Sequence, residues 1–345
     1  MAFAKYAKTG AYSNAYTSFD RTCYLFSCSN RFYDNLKILL DFVRSPYFTE
    51  ATVNKEQGII GQEIRMYDDM PSWVVMFNML EGMFHNHPVR IDIAGTVESI
   101  AKITHKTLYD CYNRFYDLSN MFITLAGDFN ADEVLRFIYD NLKLPENPVK
   151  NSSSVLPDEP KSVKENFVSC NLDVAKPLFC LGFKESDAAV TPDAKQLVTM
   201  DILLKMLAGS ASPLYKKLLD SGLINEEFAF EYFNGRGFAL PIFEGESDNP
   251  KKVMEMILNT VEEYKNGAFD EKLFEAVRRD LYGRSIRRFD VAESVCSMLS
   301  DATVLGYDLF EYLELMTTVT PEDVKKRLSV FTAENAVLSV VNPVK

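Results

Sequence analysis

What most constrains this chain is that its two halves follow the same order of elements, on either side of a stretch that cannot belong to a core. Residues 144–166 read LPENPVKNSSSVLPDEPKSVKEN, with four prolines, a serine run, many charges and almost no apolar periodicity. Such a stretch ends elements rather than extending them, and it marks a domain boundary. The sequence predicts a first domain over 1–145, a linker over 146–166 and a second domain over 167–345. In the first half, Thr104 leads through a helix to Asn120 and an apolar strand. In the second, Thr320 leads through a helix to Asn335 and another apolar strand, at nearly the same spacing. This reads as an internal duplication.

The local signals agree with that frame. Ala11–Thr17 and Thr22–Phe26 read as paired strands. A helix from about Arg31 to Val43 presents Leu36, Leu39, Leu40 and Val43 on one face. Thr49 and Thr104 are placed to cap helices, the second with Leu108, Cys111, Tyr112 and Phe115 inward. Residues 120–128 read as a buried strand and turn, and Asn130 with Glu133 as a capping box. In the second half, strands are predicted at Phe167–Cys170, Leu178–Phe183, Glu227–Phe233, Phe238–Gly245 and Asn335–Val341. Helices are predicted from Thr191-Pro192, over Lys251–Lys265 and Phe269–Arg287, and after Thr320. Strand groups interleaved with helices in each half predict an α+β protein. Its two tandem duplicated domains each carry a mainly antiparallel sheet with helices packed on one face.

Composition narrows the function. The net charge is −12, from 37 basic against 49 acidic residues. A nucleic-acid groove or an anionic membrane surface wants clustered Lys and Arg, so neither is expected as a partner. No apolar run approaches the ~20 residues of a membrane helix. The six cysteines are scattered without a CxxC pair, as expected of reduced thiols in a cytoplasmic protein.

One helix carries a less ordinary pattern. Over Lys55–Asp69, Glu56, Ile60, Glu63 and Tyr67 fall on one stripe at 3.6 residues per turn. Two acids flanking an isoleucine are either both solvated, with Ile60 incidental, or half in the core, where an acid wants a metal, a cation or a dense hydrogen-bond set. Other chemistry is weakly signalled. His85-x-His87 precedes Pro88 and suits a surface or capping role better than a metal site. No G-x-S-x-G elbow is present, and Gly235-Arg236-Gly237 reads as a turn.

The residues now in view resemble a known family. Gly10-Ala11-Tyr12-Ser13-Asn14-Ala15-Tyr16-Thr17, continuing to Thr22-Cys23-Tyr24, resembles the strand pair of the pitrilysin/insulinase-like zinc peptidases. The Glu56–Glu63 helix, His87-Pro88-Val89, Gly95-Thr96-Val97-Glu98, Phe115-Tyr116, Asn120-Met121, Gly127-Asp128 and Ser212-Pro213-Leu214-Tyr215 resemble its later landmarks in order. The resemblance covers nearly the whole chain and is nearest the short, two-domain bacterial type, often encoded as paired paralogous subunits. These enzymes are inverzincins: an H-x-x-E-H helix supplies two histidine ligands and the general base, and a downstream glutamate is the third ligand. The resemblance implies that Glu63 is the third zinc ligand. It implies that Glu56 is the acid that supports the site two turns earlier, and that the strand at Asn14-Ala15 binds substrate backbone by strand addition.

The departures are as informative. The chain contains no H-x-x-E-H, and its histidines are His85, His87 and His105 only. In the family the motif lies a short way upstream of the residues matching Phe3-Ala4-Lys5, so the first domain is expected to lack its first strands and that helix. The stretch Leu218–Asn225 also lacks the Arg and Tyr that hold substrate in many members. The expectation is an N-terminally truncated zinc metalloendopeptidase-like protein that acts on peptides as a family but, as this chain, neither holds zinc tightly nor cleaves. A non-catalytic peptide-binding subunit of a paired complex is the alternative. Truncation exposes a sheet edge and an apolar groove, through which the isolated chain is expected to self-associate; the expected assembly is a homodimer or a heterodimer with a paralogous subunit.

Overall fold

The computed structural model describes residues 2–142, 155–185 and 191–344. It divides into two compact units. The first comprises Met1–Ile64, Ala94–Val155 and Val291–Ser297; the second comprises Arg65–Ile93, Leu156–Asp290 and Met298–Lys345. Residues 146–154 of the predicted linker lie outside the described residues.

In chain order the first part holds α1 (Ala2–Thr9), β1 (Tyr12–Thr17), β2 (Thr22–Ser27), α2 (Phe32–Arg44), α3 (Glu50–Asp68), α4 (Pro71–Met83), α5 (Val97–Ile100), α6 (His105–Phe115) and α7 (Ala131–Leu142). There follow β3 (Phe167–Leu172), β4 (Leu178–Phe183), α8 (Ala194–Ala208), α9 (Pro213–Asp220), β5 (Ala229–Gly235), β6 (Phe238–Glu246), α10 (Pro250–Glu263) and α11 (Glu271–Arg287). The chain ends with α12 (Ala292–Leu305), α13 (Leu309–Thr318), α14 (Pro321–Lys326) and β7 (Ala336–Pro343). The fold is α+β.

The second unit is built on a five-stranded sheet in the order β3-β7-β4-β6-β5. Only β3 and β7 run parallel. β4 reads Leu-Phe-Cys-Leu-Gly-Phe, apolar on both sides, because both faces of the sheet are covered. On one face Phe179, Leu181, Phe183 and Phe243 join α8, whose eleven buried residues make it the core helix. On the other lies α4. Gly182 permits that approach: a Cβ there would stand 2.6 Å from Met79 Sδ. Helices thus cover both faces, where the sequence suggested one. Closure of each face removes apolar surface at ~25 cal/mol per Å2.

The first unit pairs β1 with β2 in an antiparallel hairpin and has no third strand among its described residues. Its core is smaller: Leu36 and Leu40 of α2 meet Val134 and Leu142 of α7, with Phe26, Phe32, Leu125 and Phe129 around them.

Several local expectations need correction. The strand predicted over 120–128 is absent; the chain makes a 3-10 turn at Leu118–Asn120 and then runs without ladder partners, leaving Phe122 and Ile123 exposed. On α6, Leu108, Tyr109 and Tyr112 are half-buried while Cys111 and Phe115 are exposed. α8 starts later than Thr191-Pro192, because Asp193 and Gln196 form the capping box and Thr191 instead accepts a hydrogen bond from the Gly237 N–H. The caps predicted at Thr49, Thr104 and Thr320 are present.

Candidate functional site

The hairpin of the first unit is defined by its turn. The Ser18 N–H donates to the Arg21 carbonyl at 2.8 Å, so this pair closes the ladder. Bonded and non-bonded pairs alternate from there, with Thr17 opposite Thr22 and Ala15 opposite Tyr24. The backbone groups of Ser13, Ala15 and Thr17 therefore point away from β2. The Ala15 N–H is satisfied by its neighbour: Asn14 Oδ1 accepts from it at 2.8 Å, while Asn14 Nδ2 donates to the Tyr12 hydroxyl at 3.2 Å. Tyr12, Asn14 and Tyr16 are exposed on one face of β1. The other face of the hairpin packs inward, Tyr6 stacking on Phe26 and the Tyr24 hydroxyl meeting that of Tyr116 at 2.7 Å. An edge strand whose open N–H is held by its own asparagine is one that a visiting strand can join by displacing that side chain.

Glu56 and Glu63 both lie exposed on α3. The inner side of this helix is Val53, Gly61 and Ile64, and Gln57 anchors it by donating to the carbonyls of Ile100 and Ile103 at 2.9 and 2.8 Å. On the stripe shared by the two acids, Ile60 and Tyr67 are half-buried while the acids themselves are exposed. Tyr67, further along, stacks on Trp73 with ring centroids 4.3 Å apart.

Among the described residues no group of three His, Cys, Asp or Glu side chains is placed to hold a metal ion. Zinc in a peptidase takes about three protein ligands and a water. Glu63 alone does not fit that demand, and no step through zinc is derived for this chain.

A buried polar cluster that no sequence motif signals lies in the second unit. Glu159, inside the stretch read as linker, accepts from three successive backbone N–H groups, those of His85, Asn86 and His87, at 2.7–2.9 Å. Lys184, at the end of β4, donates to Glu159 at 2.7 Å and to the carbonyls of Met83 and Ser162, each at 3.0 Å. Burial alone would raise the Glu159 carboxyl; Lys184 and the three amides overcome it and hold it at about 2. His87 is buried beside this cluster, and its Nδ1 accepts from the Val89 N–H, the capping role its position suggested. Burial lowers its pKa, which keeps that nitrogen free to accept.

Residues 2–97 match the model of "Insulinase (Peptidase family M16)" and residues 102–281 that of "Peptidase M16 inactive domain". The chain belongs to the insulinase family of peptidases, family M16. It is 36% identical to the uncharacterized zinc protease YmfH of Bacillus subtilis over 94% of its own length and 76% of that protein's. A crystal structure of an M16-like peptidase from Alicyclobacillus acidocaldarius superposes with a TM-score of 0.91 at 33% identity, covering 99% of this chain and 82% of that one. The peptidase M16 inactive domain from Pseudomonas fluorescens shares the fold, with a TM-score of 0.82 at 14% identity over 100% of this chain and 83% of that one.

Proposed function

We propose that residues 1–345 form the peptide-binding body of an M16-type zinc metallopeptidase and that this body, by itself, binds extended peptides without cleaving them. The observation that carries the reading is the β1 edge, where among the described residues the outward Ala15 N–H is held by Asn14 Oδ1. A peptide strand adding there would take over that N–H and the outward groups of Ser13 and Thr17, with Tyr12 and Tyr16 flanking alternate side chains. Glu63 is the one zinc ligand that we assign to this chain, and Glu56 supports it. Two histidines and a general base would have to come from an H-x-x-E-H segment outside these residues.

A second reading has its own support. Residues 102–281 match a model described as an inactive domain, and Leu218–Asn225 lack the Arg and Tyr expected at a substrate clamp. On that reading the chain is the non-catalytic member of a pair, either with a second copy or with a paralogous active subunit. The six free thiols suit a cytoplasmic setting for both.

The test is binding of a fluorescein-labelled extended peptide by anisotropy, with mass spectrometry of the peptide afterwards. Ala15→Pro removes the outward N–H at an edge position that tolerates proline. The proposal predicts intact peptide and at least tenfold weaker binding to A15P. Equal binding by A15P, or a cleaved peptide with wild-type protein, contradicts it.

A further inference from the structure

The second unit has an edge strand of its own, and its surroundings carry a different chemistry. We propose that the outer edge of β5 is a docking site for an extended basic peptide segment, whose alternate Lys or Arg side chains are taken by Glu231 and Glu244.

The edge follows from the hairpin register. Gly235 faces Phe238 across a two-residue turn and closes the ladder, so Phe233–Leu240, Glu231–Ile242 and Ala229–Glu244 are the bonded pairs. The backbone groups of Phe230, Tyr232 and Asn234 therefore point away from β6. Pro241, which has no N–H, stands opposite Tyr232, where the ladder to β5 asks for none. β5 is the last strand of the sheet, and among the described residues no strand pairs with its outer side. The outward Tyr232 carbonyl is held by Asn234 Nδ2 at 2.6 Å. This is the counterpart of Asn14 on β1: an asparagine two or fewer residues away covers the open backbone group until a strand replaces it.

The hairpin and its flanks are acidic; Arg327 reaches the Tyr232 hydroxyl on the opposite face, where Glu185 pairs with it. Between Asn225 and Asn249 the chain has six acidic residues, Glu226, Glu227, Glu231, Glu244, Glu246 and Asp248, and one basic residue, Arg236. Glu231 and Glu244 share the sheet face opposite Phe230 and Tyr232, one on the edge strand and one on its neighbour. Both are exposed. No salt bridge to either is present among the described residues, whereas most acidic residues of α10, α11 and α14 have a basic partner one turn away. Although the residue as a whole is solvent-accessible, desolvation of its carboxyl against the sheet, and after it the nearby Glu244, push the Glu231 carboxyl up. A strand laid along β5 would set its side chains on that face about 5 Å from Glu231 and about 10 Å from Glu244, within reach of Lys and Arg. Backbone pairing supplies a register, and the two carboxylates select the cation.

The probe is a labelled peptide of about ten residues alternating lysine and valine, titrated at low salt into the full chain carrying Ala15→Pro, which silences the β1 edge. The controls are its glutamate–valine analogue and a lysine–valine peptide N-methylated at alternate amides. The inference predicts binding of the first, none of the second and at least tenfold loss for the third, because methylation removes strand pairing and leaves the charge. In that background Glu231→Gln with Glu244→Gln should weaken the first at least tenfold. The Ala15→Pro background separates this site from the β1 edge, and circular dichroism shows that each variant is folded. Equal affinity for the methylated peptide, or for the double glutamine variant, or no binding of the lysine–valine peptide, overturns the inference.

Discussion

At the scale of single residues, Glu159 decides more than any catalytic candidate. Its side chain and that of Lys184 are almost wholly buried. Removing one partner of such a pair strands the other charge together with three amide donors. Glu159→Ala should therefore destabilise the protein by about 3–5 kcal/mol, read by urea denaturation. The carboxyl is held at about 2, below its ordinary value, so its contribution is complete above about pH 4.5 and is lost as pH falls toward 2. Asp201 has the opposite sign. Burial raises its carboxyl to about 6 against the hydrogen bond from the Tyr312 hydroxyl. Its contribution is present below about pH 4 and is lost as pH rises through 6. Asp201→Asn should abolish this dependence between pH 4 and 6 and raise stability at pH 7 by about 2 kcal/mol, measured as the unfolding free energy at each pH.

At the scale of elements, the sequence was legible where the signal is local. Capping threonines, the hairpins and the apolar strands of the second unit are specified within a few residues of themselves, and they lie where the pattern places them. Residues 121–126 show the limit. Their run of Met, Phe, Ile, Thr, Leu and Ala reads as a strand, but a strand exists only beside another strand, and the described residues supply none. The Glu159–Lys184 pair was illegible for a related reason: a glutamate between prolines reads as solvated, and its partner is 25 residues away. The outward asparagines at 14 and 234 became meaningful only once the register showed which backbone groups they cover. The exposed segment makes its own prediction. Phe122→Lys with Ile123→Lys should change stability by less than about 0.5 kcal/mol, since neither side chain is buried. It should also reduce self-association in sedimentation velocity. Unchanged association would place the contact elsewhere.

At the scale of the whole molecule, the second unit is a complete five-stranded sheet with a buried core helix, and the first is a hairpin with helices around it. By order along the chain, the duplication read from the sequence matches the β1–β2 hairpin with the β5–β6 hairpin and residues 121–126 with β7. Among the described residues the first unit has no counterpart of β3, β4 and α8. The H-x-x-E-H segment that supplies two histidines and a general base in inverzincins does not occur in these residues. The account therefore turns on one claim, that this chain contributes Glu63 to a zinc site it cannot complete. The most direct measurement is the zinc content of the purified chain after equilibrium dialysis against a micromolar zinc buffer. The account predicts well under one ion per chain, with no loss on substituting Glu63→Gln. One tightly held zinc per chain, released by E63Q, would contradict it.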